Sequence, residues 1–201
     1  MTERLYKVWE LESKPAKASR GGARRRVERE YTEQDVFDRL KFAFPSPAFV
    51  LLPQVRSCTG QAQDVPRKVD AIAASVYPSR GLYLCGIEIK VKKTDWRKEL
   101  RDPEKSEAIK KYCRYWYVAA PIGIVPVGEL PEGWGLVEVR ADGATIVHRA
   151  EKTVEEPVDI GFVCSVLRAA AGLLANKDDD QGEVKAAMDE ADSGDDRTTD
   201  V

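Results

Sequence analysis

The chain has 201 residues, 43% of them hydrophobic and 33% charged, which supports one domain with its own core and excludes a wholly disordered chain. The formal charge of −2 hides an asymmetry: residues 177–201 carry ten acids and three bases, so the remaining 176 residues sum to +5. No apolar run reaches the roughly 18 residues that span a bilayer. The start, Met1-Thr-Glu-Arg-Leu-Tyr-Lys7, lacks the apolar core of a secretory signal, so a cytoplasmic protein with no membrane partner is expected. Cys58, Cys85, Cys113 and Cys164 form no C-x-x-C, which argues against a zinc site and a disulfide scaffold. The single histidine, His148, excludes any mechanism built on a histidine cluster.

In chain order, residues 1–30 hold nine bases and five acids, with Arg24-Arg25-Arg26 after two glycines. They read as a basic flexible arm. Thr32 and Asp35 offer an N-cap and its partner, and Val36, Phe37, Leu40 and Phe44 recur at helical spacing, predicting a helix over 32–43. Pro45 and Pro47 stop it. Ala48–Val55 reads as a strand and Ser57–Arg67 as a loop. Val69–Val76 and Leu82–Ile89 read as two strands joined by the turn Tyr77-Pro-Ser-Arg-Gly81. Thr94–Tyr112 reads as helix, broken at Pro103, with Asp102 capping a second segment. Tyr115–Ala120 is a further strand, with its Tyr115-Trp116-Tyr117 aromatics assigned mainly to core. Leu136–Val139 and Thr145–Val147 form a last hairpin around Asp142-Gly143, and Val158–Ala175 an apolar helix. From about 176 the chain is acidic and without aromatics, and is expected to be a disordered tail over 177–201. The expected fold is α/β. Residues 31–150 form the domain, and a C-terminal helix at 151–176 packs on it.

A hairpin centred on Ser79 sets residue i against residue 158 − i, which brings Asp70 opposite Glu88. Directly opposed residues lie about 4.5–5.5 Å apart, and two carboxylates so placed repel. A divalent cation between them reverses that sign. Lys90, two residues beyond Glu88, shares its face and reaches the same point, while Ile87 and Ile89 point to the other face. The Ile89 backbone C=O, between the two side chains, is an additional oxygen ligand. Hard oxygen donors of this kind hold Mg²⁺, with Mn²⁺ as a substitute, and leave positions for water and a phosphate oxygen. The lysine orients water or stabilises developing negative charge. The competing reading is a same-face charge pair at an exposed strand end.

Asp70, seventeen intervening residues and Glu88-Ile89-Lys90, in the order helix–strand–strand–strand–helix–strand, resemble the PD-(D/E)XK nuclease superfamily. Val69 stands where the motif's name has proline. The stretch Gly86–Trp96, with Lys105, Tyr112–Pro121 and Gly133-Trp-Gly-Leu136, is similar to the MmcB-like DNA repair-related proteins and their phage relatives; this similarity runs from about Val50 to Val139. The resemblance implies a restriction-endonuclease-like αβββαβ core with a mixed central sheet, here with an added β-hairpin and C-terminal helix. It also implies Mg²⁺-dependent DNA cleavage in repair, recombination or phage DNA processing, with Asp70, Glu88 and Lys90 as catalytic residues. Glu33, on the first helix, matches a position where some members carry a further acid near the metal, and is otherwise an exposed helix residue. Asp95 matches a recurrent acid after the lysine, or complements the helix dipole. Lys92, Lys93, Arg97, Lys98 and Lys105, with Lys110 and Lys111, form a phosphate-binding surface or a solvated helix face. Two other readings stand beside the nuclease: a non-catalytic nucleic-acid-binding protein on the same fold, and an assembly protein that homodimerises through the 158–175 helix.

Overall fold

The structure is a computed structural model that describes residues 30–58 and 67–175. The expected basic arm up to residue 29, the acidic tail and most of the expected 57–67 loop lie outside the described residues. Helix α1 (Glu33–Ala43) begins as its sequence requires: the Thr32 hydroxyl accepts from the Asp35 N–H at 3.0 Å, and the Asp35 carboxylate accepts from the Thr32 N–H at 3.1 Å. Val36, Leu40 and Phe44 recur every four residues and are buried, so one stripe of α1 faces the sheet.

Strands β1 (Phe49–Arg56), β2 (Lys68–Ser75) and β3 (Tyr83–Ile89) form an antiparallel meander. The turn is a short 3₁₀ segment, Pro78–Arg80, closed by Gly81 at φ 82°, a conformation glycine adopts without steric cost. Every β2–β3 pair obeys the expected register, from Ser75–Tyr83 to Ala71–Ile87. Helix α2 (Lys93–Glu99), a 3₁₀ turn (Pro103–Ser106) and α3 (Glu107–Lys110) return the chain to β4 (Tyr115–Pro121), which lies parallel to β3. The helix expected over 94–112 with a break at Pro103 is therefore three short segments, the second of which begins at Pro103. Pro103 disfavours helical geometry at the residue before it, and α2 stops at Glu99, short of that point.

Strands β5 (Gly135–Arg140) and β6 (Gly143–His148) form the last hairpin, and β5 joins the sheet parallel to β4. Among the described residues the result is one mixed six-stranded sheet in the order β1-β2-β3-β4-β5-β6. A further helix, α4, covers 160–175. Asp159 caps it by accepting the Phe162 N–H at 2.8 Å and also accepts from the Tyr112 hydroxyl. Helices cover both faces: Val36 and Leu40 of α1 pack with Ala71, Ile87 and Ile89, whereas Trp96, Ile109 and Phe162 pack with Ile72 and Trp116 on the other side. Trp116 and Tyr117 are buried, in keeping with their assignment to the core.

Candidate active site

The site lies where two strand ladders lose a pair at the same residue. Between β1 and β2 the pairing passes from Pro53–Ala71 to Val55–Val69 without joining Gln54 to Asp70, and the β2–β3 ladder stops at Ala71–Ile87. Gln54 has φ 56°, a left-handed conformation that costs an L-residue about 1–2 kcal/mol. The alternation of side chains slips there. Leu52 and Val55, three apart, enter one cluster, as do Val69 and Ile72. Had the register continued, Val69 would have met Ile89. Instead the Ile89 N–H donates to the Asp70 carboxylate at 2.8 Å, so a side chain satisfies a donor that the ladder has released.

Just past the end of β3, the Lys90 N–H turns to β4 and donates to the Ala119 C=O at 3.0 Å. Successive residues of a strand direct their N–H and C=O groups to opposite sides, so the Ile89 C=O faces the Asp70 side. Gly86, Glu88 and Lys90 share the opposite face from Ile87 and Ile89. A Cβ on Gly86 would lie 2.1 Å from Cζ3 of Trp116, so only glycine lets that indole close over the strand beside the charges.

The charges converge on one atom. Lys90 Nζ donates to Glu88 Oε2 at 2.9 Å, lies 3.1 Å from Glu99 Oε2 and 3.7 Å from Asp70 Oδ2. The Lys90, Glu88 and Glu99 side chains are 10%, 9% and 5% exposed, deep enough for unpaired charge to be costly. Three carboxylates around one ammonium leave an excess of negative charge, and the titration of the pair reflects it. Burial, with Asp70 and Glu99 adding to it against the pull of Lys90, pushes the Glu88 carboxyl up to about 7. Burial works to lower the Lys90 ammonium, but Glu88, Asp70 and Glu99 together outweigh it and raise it above its ordinary value.

Asp70 and Glu88 both face the Lys90 ammonium, but not as the opposed strand pair their spacing predicts. The β2–β3 ladder ends at Ala71–Ile87, and Asp70 lies beyond it. Glu33 does not join them. It is exposed in the first turn of α1, the helix packed on the Ile87 and Ile89 face, and no bond joins it to Asp70 or Glu88 among the described residues. Asp95 sits in the first turn of α2 and holds Lys98 at 3.1 Å, a local pair within one helix.

The basic surface is partly spent on neighbouring acids. Lys105 lies 3.9 Å from Glu99, Lys110 2.7 Å from Glu107 and Lys111 3.4 Å from Glu156. Lys92, Lys93 and Arg97 are exposed. Glu99 is the member that sequence reasoning missed. Its signal was its place three residues after Trp96, which puts both on one buried helix face; the Trp96 indole N–H in turn donates to Glu129 at 3.0 Å.

The donor set fits a hard divalent cation. Two carboxylates face the same ammonium, Glu88 Oε2 at 2.9 Å and Asp70 Oδ2 at 3.7 Å. Among the described residues no group of three or more His, Cys, Asp or Glu side chains is arranged to hold a metal. Two carboxylates with water completing the shell is the usual habit of Mg²⁺. A shallow cleft of about 360 Å³ opens elsewhere, beside Ser75, Leu82 and Leu84, and its acids Glu155 and Glu156 are paired with Arg114 and Lys111.

The fold and this cluster define an α/β protein with a buried acid–lysine centre on a mixed sheet. The solved structure of the SPO1766 protein of unknown function from Silicibacter pomeroyi is similar, with a TM-score of 0.56 and 20% identity over 75% of this chain and 93% of that one. That likeness carries the fold. No protein-family model matches the chain, and no curated protein is significantly similar to it. Among the described residues no helix is long and apolar enough to cross a membrane.

Proposed function

We propose that the protein is a metal-dependent deoxyribonuclease built on a restriction-endonuclease-like core, cleaving DNA phosphodiester bonds in repair, recombination or phage DNA processing. The observation that carries the reading is the convergence of Asp70, Glu88 and Lys90 at the point where β2 and β3 part. The order α1, the β1–β3 meander, α2 and α3, then β4 parallel to β3 agrees with the αβββαβ arrangement of that core.

Asp70 and Glu88, with the Ile89 C=O, would hold Mg²⁺ or Mn²⁺. When bound, such an ion polarises the phosphoryl group and lowers the pKa of a coordinated water. Lys90 would orient the attacking water and offset charge on the phosphate oxygens. The exposed Lys92, Lys93 and Arg97 would meet backbone phosphates, which gives sequence-tolerant and salt-sensitive binding. Burial of Glu88 and Lys90 keeps bulk water from screening these charges.

The test is incubation of the purified chain with linear, nicked and branched DNA and Mg²⁺ or Mn²⁺. Cleavage is expected to fall by about 10²-fold or more in Lys90→Ala, the scale of losing one charge-stabilising donor, and to disappear with chelator. Undiminished cleavage in both Lys90→Ala and Asp70→Ala would trace the activity to a contaminant. A second reading, a DNA-binding protein without hydrolysis, is favoured by one observation: the Lys90 ammonium already sits against both carboxylates. It predicts binding that is indifferent to chelator.

A further inference from the structure

Lys90 Nζ lies 2.9 Å from Glu88 and 3.7 Å from Asp70, so the ammonium occupies the same oxygens that a divalent cation would need. Two cations cannot share them without strong repulsion. We propose that Glu99 is a positioning residue that receives the Lys90 ammonium when a divalent cation takes the Asp70–Glu88 position. This rests on the reading of Asp70 and Glu88 as a cation site.

Glu99 is equipped for that role. Its Oε2 already lies 3.1 Å from Lys90 Nζ, so the ammonium keeps one full ionic partner without entering water. Its Oε1 is buried with no hydrogen-bond partner, and a lysine ammonium has three protons to offer. The side chain is 5% exposed, so Glu99 does not answer its charge by turning to solvent. Trp96, one turn earlier on α2, is 1% exposed and bonded to Glu129 at 3.0 Å. That anchor fixes the helix, and with it the distance between Glu99 and the end of β3. Lys105, 3.9 Å from the same oxygen, shares the Glu99 charge from the solvent side. Lys90 thus moves between two acid poles of one cluster, close to the cation's position and still available for the chemistry assigned to it.

The experiment is calorimetric Mn²⁺ titration of the full chain as wild type, Glu99→Gln, Lys90→Met and the double variant, with thermal unfolding run on each. Glu99→Gln is expected to weaken Mn²⁺ binding about tenfold, because Lys90 then competes undivided for Glu88 and Asp70. In the Lys90→Met background the same change is expected to cost about twofold or less, since Glu99 acts through the lysine. Equal losses in both backgrounds would make Glu99 a direct ligand and overturn the proposal, as would an unchanged affinity in Glu99→Gln. Should Glu99→Gln fail to fold, acylation of Lys90 in the wild type, mapped by mass spectrometry, replaces it. Lys90 is expected to stay protected when Mn²⁺ binds, and a several-fold rise in its modification would show an ammonium released to water. A folded wild type that binds no Mn²⁺ would remove the cation reading itself, an outcome distinct from the others.

Discussion

Along the end of β3 and the residue that follows it, alternate residues are buried to similar depth in opposite surroundings. Ile87 and Ile89, 0% and 3% exposed, meet Val36 and Leu40 of α1 in an all-apolar cluster. Glu88 and Lys90, 7% and 8% exposed, meet Asp70 and Glu99. Burying an aliphatic side chain contributes about 1.5–3 kcal/mol to stability, whereas burying an ion costs several kcal/mol before its partner returns any of it. One strand therefore carries a stabilising face and a costly one. Depth of burial alone distinguishes neither; the sign comes from what each side chain touches.

Substitutions on the two faces should separate stability from cation binding. The largest effect belongs to Ile87→Ala, expected to lower unfolding free energy by about 2–5 kcal/mol through the cavity it leaves, with Mn²⁺ affinity of the folded fraction unchanged. Urea unfolding and calorimetry together check this, and a parallel loss of affinity would break the separation. Next comes Gly86→Ala on the charged face. Its new methyl meets the Trp116 ring, and overpacking of this kind costs about 1–3 kcal/mol. Thermal unfolding measures it. Gly128→Ala, with nothing within 4 Å of its Cβ, is the control and should change little.

Apart from these substitutions stands the pH dependence. Glu88 ionises at about 7 in the fold against an ordinary 4.5, so between those values the folded chain holds a proton that the unfolded chain has lost. Stability from this group should fall as pH rises through that window and level off above it, by at most about 1.4 kcal/mol per pH unit. Lys90 is shifted upward and remains charged throughout the window, so its contribution there is constant. Glu88→Gln is expected to flatten the slope in pH-dependent urea unfolding. A slope that survives the substitution would assign the proton elsewhere.

Much of the site was legible because it depends on local rules. The turn residues Tyr77–Gly81 set the β2–β3 register as far as Ala71–Ile87, and strand alternation puts Glu88 and Lys90 on one face. Thr32 and Asp35 announced the start of α1 for the same reason: a cap is a bond between residues three apart. What escaped depends on contacts distant in sequence. Gln54 turns into a left-handed conformation in one strand while Asp70 leaves the ladders of another, and no composition rule links them. Glu99 was read within a charged helix because its burial is decided by α2 settling over β3. The parallel joining of β5 to β4 follows from sheet assembly, which a hairpin signal at Asp142-Gly143 does not encode. Glu33 shows the converse, and the exposed-helix alternative of its reading is the one that its position fits. It has the right residue type, but on an element packed against the wrong side of the sheet.

The Ile89 amide, held by the Asp70 carboxylate where a strand partner would have been, has a use as a reporter. Its hydrogen is retained by an ionisable side chain, so its exchange with deuterium follows the engagement of that single acid while the amides of Ala71 and Ile87 follow the opening of the sheet. A ligand drawing the acid away would quicken one peptide group and leave its neighbours slow, which makes that one proton a gauge of occupancy.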